Sequence, residues 1–254
     1  MADVTPCATS LTATDLEREH VHKVYDVIAR HFSHTRHHPW PQVTEFLARL
    51  APRALVADVG CGNGKYLHVN PSLCVIGADR SIPLMQIGAT TNSNLVGCDA
   101  LQVPLRTGVF DAAVSVAVLH HISTKERRVA LISELARIVR VGGQVLIVAW
   151  AFEQDKHSKR RFEQQDVMVE WKLQQKYAKD EEHGDTIEAH GQIDHEKRWV
   201  VYKRYCHVYR SGELEALVEQ VPGLQLISVE YSRSNWCLHL RRVASETEQN
   251  DLLQ

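Results

Sequence analysis

Gly60, Gly62 and Gly64 stand at alternate positions directly after an apolar run that closes on Asp58 and Val59 (ADVGCGNGKYLHV, residues 57–69). Glycines spaced this way remove side chains where the chain turns, so that a ligand can lie against the backbone. The spacing is neither the GxGxxG of dinucleotide loops nor a triphosphate loop ending in GK[ST]. Three carboxylates narrow the ligand, because Asp58, Asp79 and Asp99 each close an apolar run that reads as a strand. At a strand end, Asp79 can accept hydrogen bonds from both hydroxyls of a ribose. Asp99 is placed for an amino group on an adenine edge, and Asp58 for a positive group of the ligand. All three fall at the carboxyl ends of parallel strands, the edge on which open α/β sheets bind ligands.

The elements that must hold these residues alternate along the chain. Val21, Val24, Tyr25, Ile28 and Phe32 recur at helical spacing across 14–33, with Thr14 or Asp15 available as a cap. Two prolines bracketing Trp40 in SHTRHHPWP break that helix, and QVTEFLARL (42–50) forms a second. Strands are expected at Ala54–Val59, Cys74–Ala78, Asn94–Cys98, Phe110–Val118 and Gln144–Trp150, with helices at Leu84–Ile87 and Lys125–Val139. Helix Ser211–Val221 precedes strands Leu224–Tyr231 and Trp236–Val243, whose short Arg-Ser-Asn link permits only an antiparallel pair. The expected fold is α/β: a seven-stranded, Rossmann-like, mostly parallel sheet with an antiparallel C-terminal hairpin and N-terminal helices. Residues 152–203, charged and poor in apolar periodicity, read as a substrate-side insertion in a domain running 14–243. Residues 1–13 read as a disordered leader and 244–254 as a disordered tail.

At 254 residues and 44% apolar content the chain can bury one full core. No apolar run is long enough to span a membrane, and MADVTPCATSLTATD lacks the basic and apolar regions of a secretory signal. Cys7, Cys61, Cys74, Cys98, Cys206 and Cys237 form no CxxC pair, which favours reduced thiols and a cytoplasmic or nuclear location over a disulfide framework. The fifteen histidines do not fall at zinc-ligand spacing, so no metal is expected, and His34, His37 and His38 read as loop residues. Net charge is −2, yet basic residues bunch in KHSKRR (156–161), KRWVVYKRYCHVYR (197–210) and Arg241-Arg242. A polyanion responds to such local fields.

In combination, VADVGCGNGKYL, GADRS, CDALQVPL, FDAAVSVAVLHHIS and LARIVRVGGQVLIVAW resemble the class I methyltransferases that use S-adenosylmethionine (SAM), over residues 50–150. The resemblance implies SAM as cofactor, with Gly60, Gly62 and Gly64 under its methionine part near Asp58. It puts Asp79 at the ribose with Arg80 beside it, Asp99 and Ala100 at the adenine, and Val118 near the sulfonium. In similar enzymes the N-terminal helix covers SAM, which brings in Tyr25.

The flanks narrow the family. HVHKVYDVIARHFSHTRHHPWP, LHHISTKERR, AWAFEQ, QQDVMVEW and KRYCHVYRSGEL are similar to the eukaryotic tRNA wobble-uridine carboxymethyl methyltransferases, from about residue 17 to 243. Cys206 stands where that family usually has Tyr, and Glu170 where it often has Pro. The resemblance implies methylation of the carboxylate of 5-carboxymethyluridine at the first anticodon position of tRNA. Arg36, Arg204 and His207 would hold the uridine and its carboxylate, with His120 or His121 close to the methyl group. Trp40, Trp150 or Tyr205 could stack the splayed base. It also implies a small zinc-binding activator protein that adds a strand to the apolar edge at 94–99. Taken alone, Trp40 reads equally as a packing anchor, Trp150 and Tyr25 as core, His120-His121 as structural, and Arg127-Arg128 as solvated helix surface. The rival readings are a methyltransferase of a small molecule or lipid, and a SAM-binding regulatory protein without catalysis. The glycine spacing disfavours a dehydrogenase. Retained tRNA binding that weakens steeply with salt separates RNA from small acceptors.

Overall fold

The first element is a short strand, β1 (Val4–Pro6), followed by α1 (Ala13–Glu17), a π-helical turn at Arg18–His22 and α2 (Lys23–Thr35). These come from a computed structural model that describes residues 4–7, 10–35, 38–89, 94–158, 160–174 and 191–245. Thr12, rather than Thr14 or Asp15, caps α1 by accepting the Asp15 N–H at 3.2 Å. Trp40 and Pro41 open α3 (Pro41–Arg49) as N-cap and first helical residue, the position at which a proline loses no hydrogen bond.

β2 (Leu55–Val59), β3 (Cys74–Asp79), α4 (Ile82–Ala89), β4 (Leu95–Gly97), β5 (Phe110–Val116), α5 (Lys125–Ile138) and β6 (Val139–Trp150) then alternate. After an inserted sheet come α6 (Glu213–Val218), β10 (Leu224–Ser232) and β11 (Asn235–Arg242). The main sheet has the order β10-β11-β6-β5-β2-β3-β4. It is parallel from β6 to β4 and antiparallel at β10-β11 and β11-β6, the expected seven-stranded class I arrangement. Apolar side chains cover both faces: Leu131, Leu135, Leu214 and Leu217 from α5 and α6 on one, Val43, Phe46 and Leu47 from α3 on the other. The sheet order reverses direction between β2 and β5, so the loops after β2, β3, β4 and β5 meet at one edge.

Residues 152–203 differ from the irregular insertion expected. β7 (Asp166–Gln174), β8 (Gln192–Asp194) and β9 (Trp199–His207) form a second, antiparallel sheet in the order β1-β7-β9-β8. Its apolar positions are spaced for a strand and interleaved with Lys and Arg, which hid them among the charges. The stretch 1–13 is not wholly disordered either: β1 pairs Val4 with Val169 and Pro6 with Val167 of β7, and α1 starts at Ala13. Ala244 and Ser245 follow β11, while the rest of the expected tail, 246–254, lies outside the described residues. Val24 and Ile28 of α2 bury against Trp171, Leu173, Val200 and Tyr202, so the second sheet is the platform that holds the N-terminal helices. Among the described residues no helix is long and apolar enough to cross a membrane.

Candidate active site

The chain leaves β2 through Gly60 (φ 87°), Gly62 (φ 55°) and Gly64 (φ 75°), all in the left-handed region that side chains disfavour. At Gly60 space decides as well: a Cβ there would stand 2.0 Å from Cγ2 of Val118. At Gly62 the nearest atom to an added Cβ is 4.0 Å away. Gly60 and Gly62 lie in the wall of a cavity of about 840 Å³ that α1, the π-turn and α2 close from above. Gly64 is not in that wall; its missing Cβ leaves room for Leu67, which would be 2.9 Å away.

Asp79 lines the cavity with Oδ2 accepting the Gly62 N–H at 2.7 Å and Oδ1 accepting the Ser81 N–H at 2.8 Å. Each oxygen keeps lone-pair capacity for a ligand hydroxyl. Asp99 accepts from Leu101 N–H at 2.9 Å and from Arg80 at 2.7 Å, closing the next part of the wall with Ala100. Asp58 is placed differently from expectation. It is buried beside the loop rather than in the wall, and both of its carboxylate oxygens lack a hydrogen-bond partner. Burial, with Asp79 nearby, pushes its pKa up to about 7. A buried carboxylate without donors is stabilised by a positive ligand charge close by. The residues therefore fit SAM: a glycine floor, hydroxyl and amine acceptors, and an uncompensated buried anion. Binding of the cation favours ionised Asp58, so affinity for SAM is expected to fall as pH drops through about 7, by up to roughly tenfold per unit. Calorimetry between about pH 5.5 and 7.5 checks this, and Asp58→Asn should flatten the profile.

The other end of the cavity is cationic. β5 stops at Val116, Ala117 takes a left-handed φ of 62°, and a single 3-10 turn (Leu119–His121) brings Val118, His120 and His121 to the wall. His121 Nδ1 donates to the Tyr205 carbonyl at 2.8 Å, so its Nε2 accepts from Tyr25 Oη at 2.9 Å, and Arg204 donates to that same hydroxyl at 3.2 Å. His121 is held neutral: burial, with Arg204 and His22 nearby, pushes its pKa down to about 3. Burial and neighbouring His121 and Arg204 lower that of His120 too. His120 accepts the Trp150 N–H at Nδ1 (3.4 Å), which leaves the proton on Nε2. His120, His121 and Cys206 gather three donor atoms within 4.8 Å of one another. In this arrangement His121 uses both nitrogens in hydrogen bonds, to Tyr205 and Tyr25.

Arg204 is the outstanding group. It is 5% exposed, lines the cavity, and stands 4.8 Å from the Trp171 ring. Its Nε has no hydrogen-bond partner, and among the described residues no carboxylate pairs with it. An unpaired buried cation is costly unless something anionic comes to it.

Alternation along β9 sends its neighbours elsewhere. Tyr205 and His207 are not in the cavity wall, contrary to expectation. Tyr205 packs with Leu16, Val21 and Met168 and donates to Asp166. His207 bridges Asp166 (2.9 Å) and Glu213 (2.6 Å). Burial alone would lower its pKa, but these two carboxylates outweigh it and raise it. Arg36 lies outside the described residues. Trp40 lines the cavity while its carbonyl accepts from α3. Trp150 lines it already stacked on His120 at 4.6 Å, with the Arg160 guanidinium 3.8 Å from its ring centre.

Arg127 and Arg128 are not solvated surface. Arg127 pairs with Glu17 at 2.6 Å, and Arg128 is buried against the carbonyls of Ile122 and Ser123. Glu17, 1% exposed, also accepts from Ser123, tying the roof helix to the wall. Glu17, Arg160 and Arg233 are wall residues that the sequence reading did not select. Arg160 lay in the basic run and Arg233 in the hairpin turn, features visible in the sequence but without a direction.

Comparison with known proteins places this geometry. A family model described as "Methyltransferase domain" matches residues 57–147. A protein of Xenopus tropicalis, tRNA (carboxymethyluridine(34)-5-O)-methyltransferase alkbh8, is 40% identical over 94% of this chain and 43% of its own length. The chain thus spans under half of that relative. It is also 40% identical to tRNA (carboxymethyluridine(34)-5-O)-methyltransferase of Schizosaccharomyces pombe, over 87% of this chain and 96% of that one. Among solved structures, an S-adenosylmethionine-dependent methyltransferase of Clostridium acetobutylicum superposes with TM-score 0.61 at 9% identity, over 87% of this chain and 100% of that one. A chain from the complex of the Haloferax volcanii Trm112 methyltransferase activator with a methyltransferase gives 0.58 at 14%, over 91% and 99%. The two structures share the fold, and the near end-to-end match to the yeast protein shows that this chain belongs to the tRNA (carboxymethyluridine(34)-5-O)-methyltransferase family.

Proposed function

We propose that this chain transfers the methyl group of SAM to the carboxylate of 5-carboxymethyluridine at the wobble position (U34) of tRNA, giving the methyl ester. The observation that carries this reading is Arg204: a buried guanidinium that lines the same cavity as the glycine loop and, among the described residues, has no carboxylate beside it. A carboxylate in the cavity would balance that charge.

SAM, when bound, supplies an electrophilic methyl on sulfur, so that an O–C bond forms as the C–S bond breaks and its electron pair stays on sulfur. The acceptor is already an anion, and the protein need not remove a proton. Neutral His120 and His121 suit that requirement. They give hydrogen-bonding shape to the wall near Val118 without competing as bases. Tyr25 and Arg204 orient the carboxylate, and the gain is one of proximity and alignment. Asp79 and Arg80 serve the ribose side, Asp99 and Ala100 the adenine, and Trp40 offers a ring to the splayed base.

The names of the curated relatives support tRNA as the substrate. The basic run at 156–161 supports it too, since His157 and Arg160 of that run line the cavity. β4 is the outer strand of the main sheet, with Leu95 and Val96 half-buried and Ile82 exposed beside it. An open edge of this kind pairs readily with another chain. The solved complex of a similar fold with a methyltransferase activator supports an activator protein as that partner, which we take to be small and zinc-binding. Six free cysteines support a reducing location, cytoplasmic or nuclear.

Incubation with methyl-labelled SAM and tRNA bearing carboxymethyluridine tests the substrate. The expected label is in RNA and is released by mild alkali, as an ester must be. Alkali-stable label in RNA would mean methylation of a base or ribose, and label only in small molecules would favour the rival acceptor class.

A further inference from the structure

The β10–β11 turn and residues 151–158 support a second guanidinium, that of Arg160, in the cavity wall. The two central residues of the turn, Arg233 (φ 48°) and Ser234 (φ 63°), are both left-handed without being glycine. Two-residue hairpins take this geometry most readily with Asn-Gly, and strain kept at other residues points to a use for their side chains. Ser234 Oγ accepts the Asp155 N–H at 3.2 Å and donates to Asp155 Oδ2 at 3.1 Å. Asp155 Oδ1 accepts the N–H groups of His157 and Ser158 at 2.9 and 2.8 Å. Ser158 Oγ then accepts the Arg160 N–H at 3.2 Å and donates to Gln154 at 2.6 Å. An unbroken run of hydrogen bonds thus fixes the loop against the strained turn. At its end the Arg160 guanidinium lies 3.8 Å from the centre of the Trp150 ring, which stacks on His120. His120 lies 4.4 Å from the His121 ring, whose partner Tyr25 accepts from Arg204. Two cations from separate elements therefore flank the same histidine pair in the cavity wall.

We propose that Arg160 is the second arm of a clamp on the acceptor carboxylate, Arg204 being the first, with Asp155 and Ser234 as positioning residues that hold it over Trp150. This rests on the reading of the acceptor as a carboxylate. Two guanidiniums approaching from different elements fix the plane of a carboxylate and leave a lone pair for the methyl carbon. They also make the site selective, because a neutral amide or an unmodified uridine brings no charge to them.

The test measures Kd for tRNA bearing carboxymethyluridine and for the same tRNA with unmodified uridine, on the full chain with its activator. Kd for SAM serves as the control for folding. Arg160→Ala should narrow the preference for the modified tRNA by about tenfold and lower kcat/KM by at least about fiftyfold, with SAM affinity held within twofold. Arg160→Lys, which keeps charge without the planar fork, should fall between. Ser234→Ala should narrow the preference severalfold in the wild-type background and not at all in Arg160→Ala, as a residue acting through Arg160 must. Equal loss of affinity for both tRNAs would make Arg160 a phosphate contact and overturn the clamp, as would unchanged kcat/KM. Failure of the wild-type enzyme to form any ester would instead overturn the reading of the substrate, so the two failures are distinguishable.

Discussion

Replacing Arg204 with Met is expected to lower kcat/KM for carboxymethyluridine tRNA by about 10²–10³-fold while leaving SAM affinity within a factor of two. The guanidinium is buried, has an unpartnered Nε, and is held by the Tyr25 hydroxyl and the Trp171 ring. It is a desolvated cation with no carboxylate beside it among the described residues, and removing such a charge in favour of an apolar side chain of similar volume is neutral or stabilising. The Tm of the free protein is therefore expected to hold or rise as activity collapses, a separation typical of groups kept for function rather than stability. Parallel measurement of Tm and single-turnover rate checks it. A fall in Tm of many degrees with a modest loss of rate would make Arg204 a packing residue.

Gly60→Ala should cost almost all SAM binding. The new methyl would need the space of Val118 Cγ2, 2.0 Å away, at a φ of 87°. The left-handed backbone costs about 1–2 kcal/mol and the overpacking about 1–3 kcal/mol. Because Val118 lines the cavity, relief of the clash moves the wall itself. SAM affinity should drop by at least about a hundredfold with some loss of stability, read by calorimetry and thermal melts. Gly62→Ala has no such collision, only the φ of 55°, and should be the milder variant. If the two variants behaved alike, the close approach of Val118 would not be what Gly60 serves.

The main sheet was legible because its strands are short apolar runs punctuated by glycine and aspartate, and both signals survive in a single sequence. The second sheet was not. β7 and β9 carry Lys, Arg and Glu between their buried positions, so charge masked a period of two, and β1 has only three residues to declare itself. The same alternation explains the error within KRYCHVYR. Arg204 faces the cavity while Tyr205 and His207 do not, and only the register of β9 with β7 decides which. Asp58, Asp79 and Asp99 looked equivalent as strand ends, yet the first is buried behind the loop and the other two form the wall, a difference of side-chain direction that residue type does not carry. Arg160 could not be picked from KHSKRR because its place depends on Asp155 meeting Ser234, seventy-nine positions later.

Nucleoside mass spectrometry on tRNA bearing carboxymethyluridine, digested after incubation with the full chain, its activator and SAM, reads the transfer itself. 5-Carboxymethyluridine at the wobble position is expected to be converted to its methyl ester, and Arg204→Met to leave it unconverted. Persistence of the free acid with wild-type enzyme that binds SAM would contradict the proposed transfer.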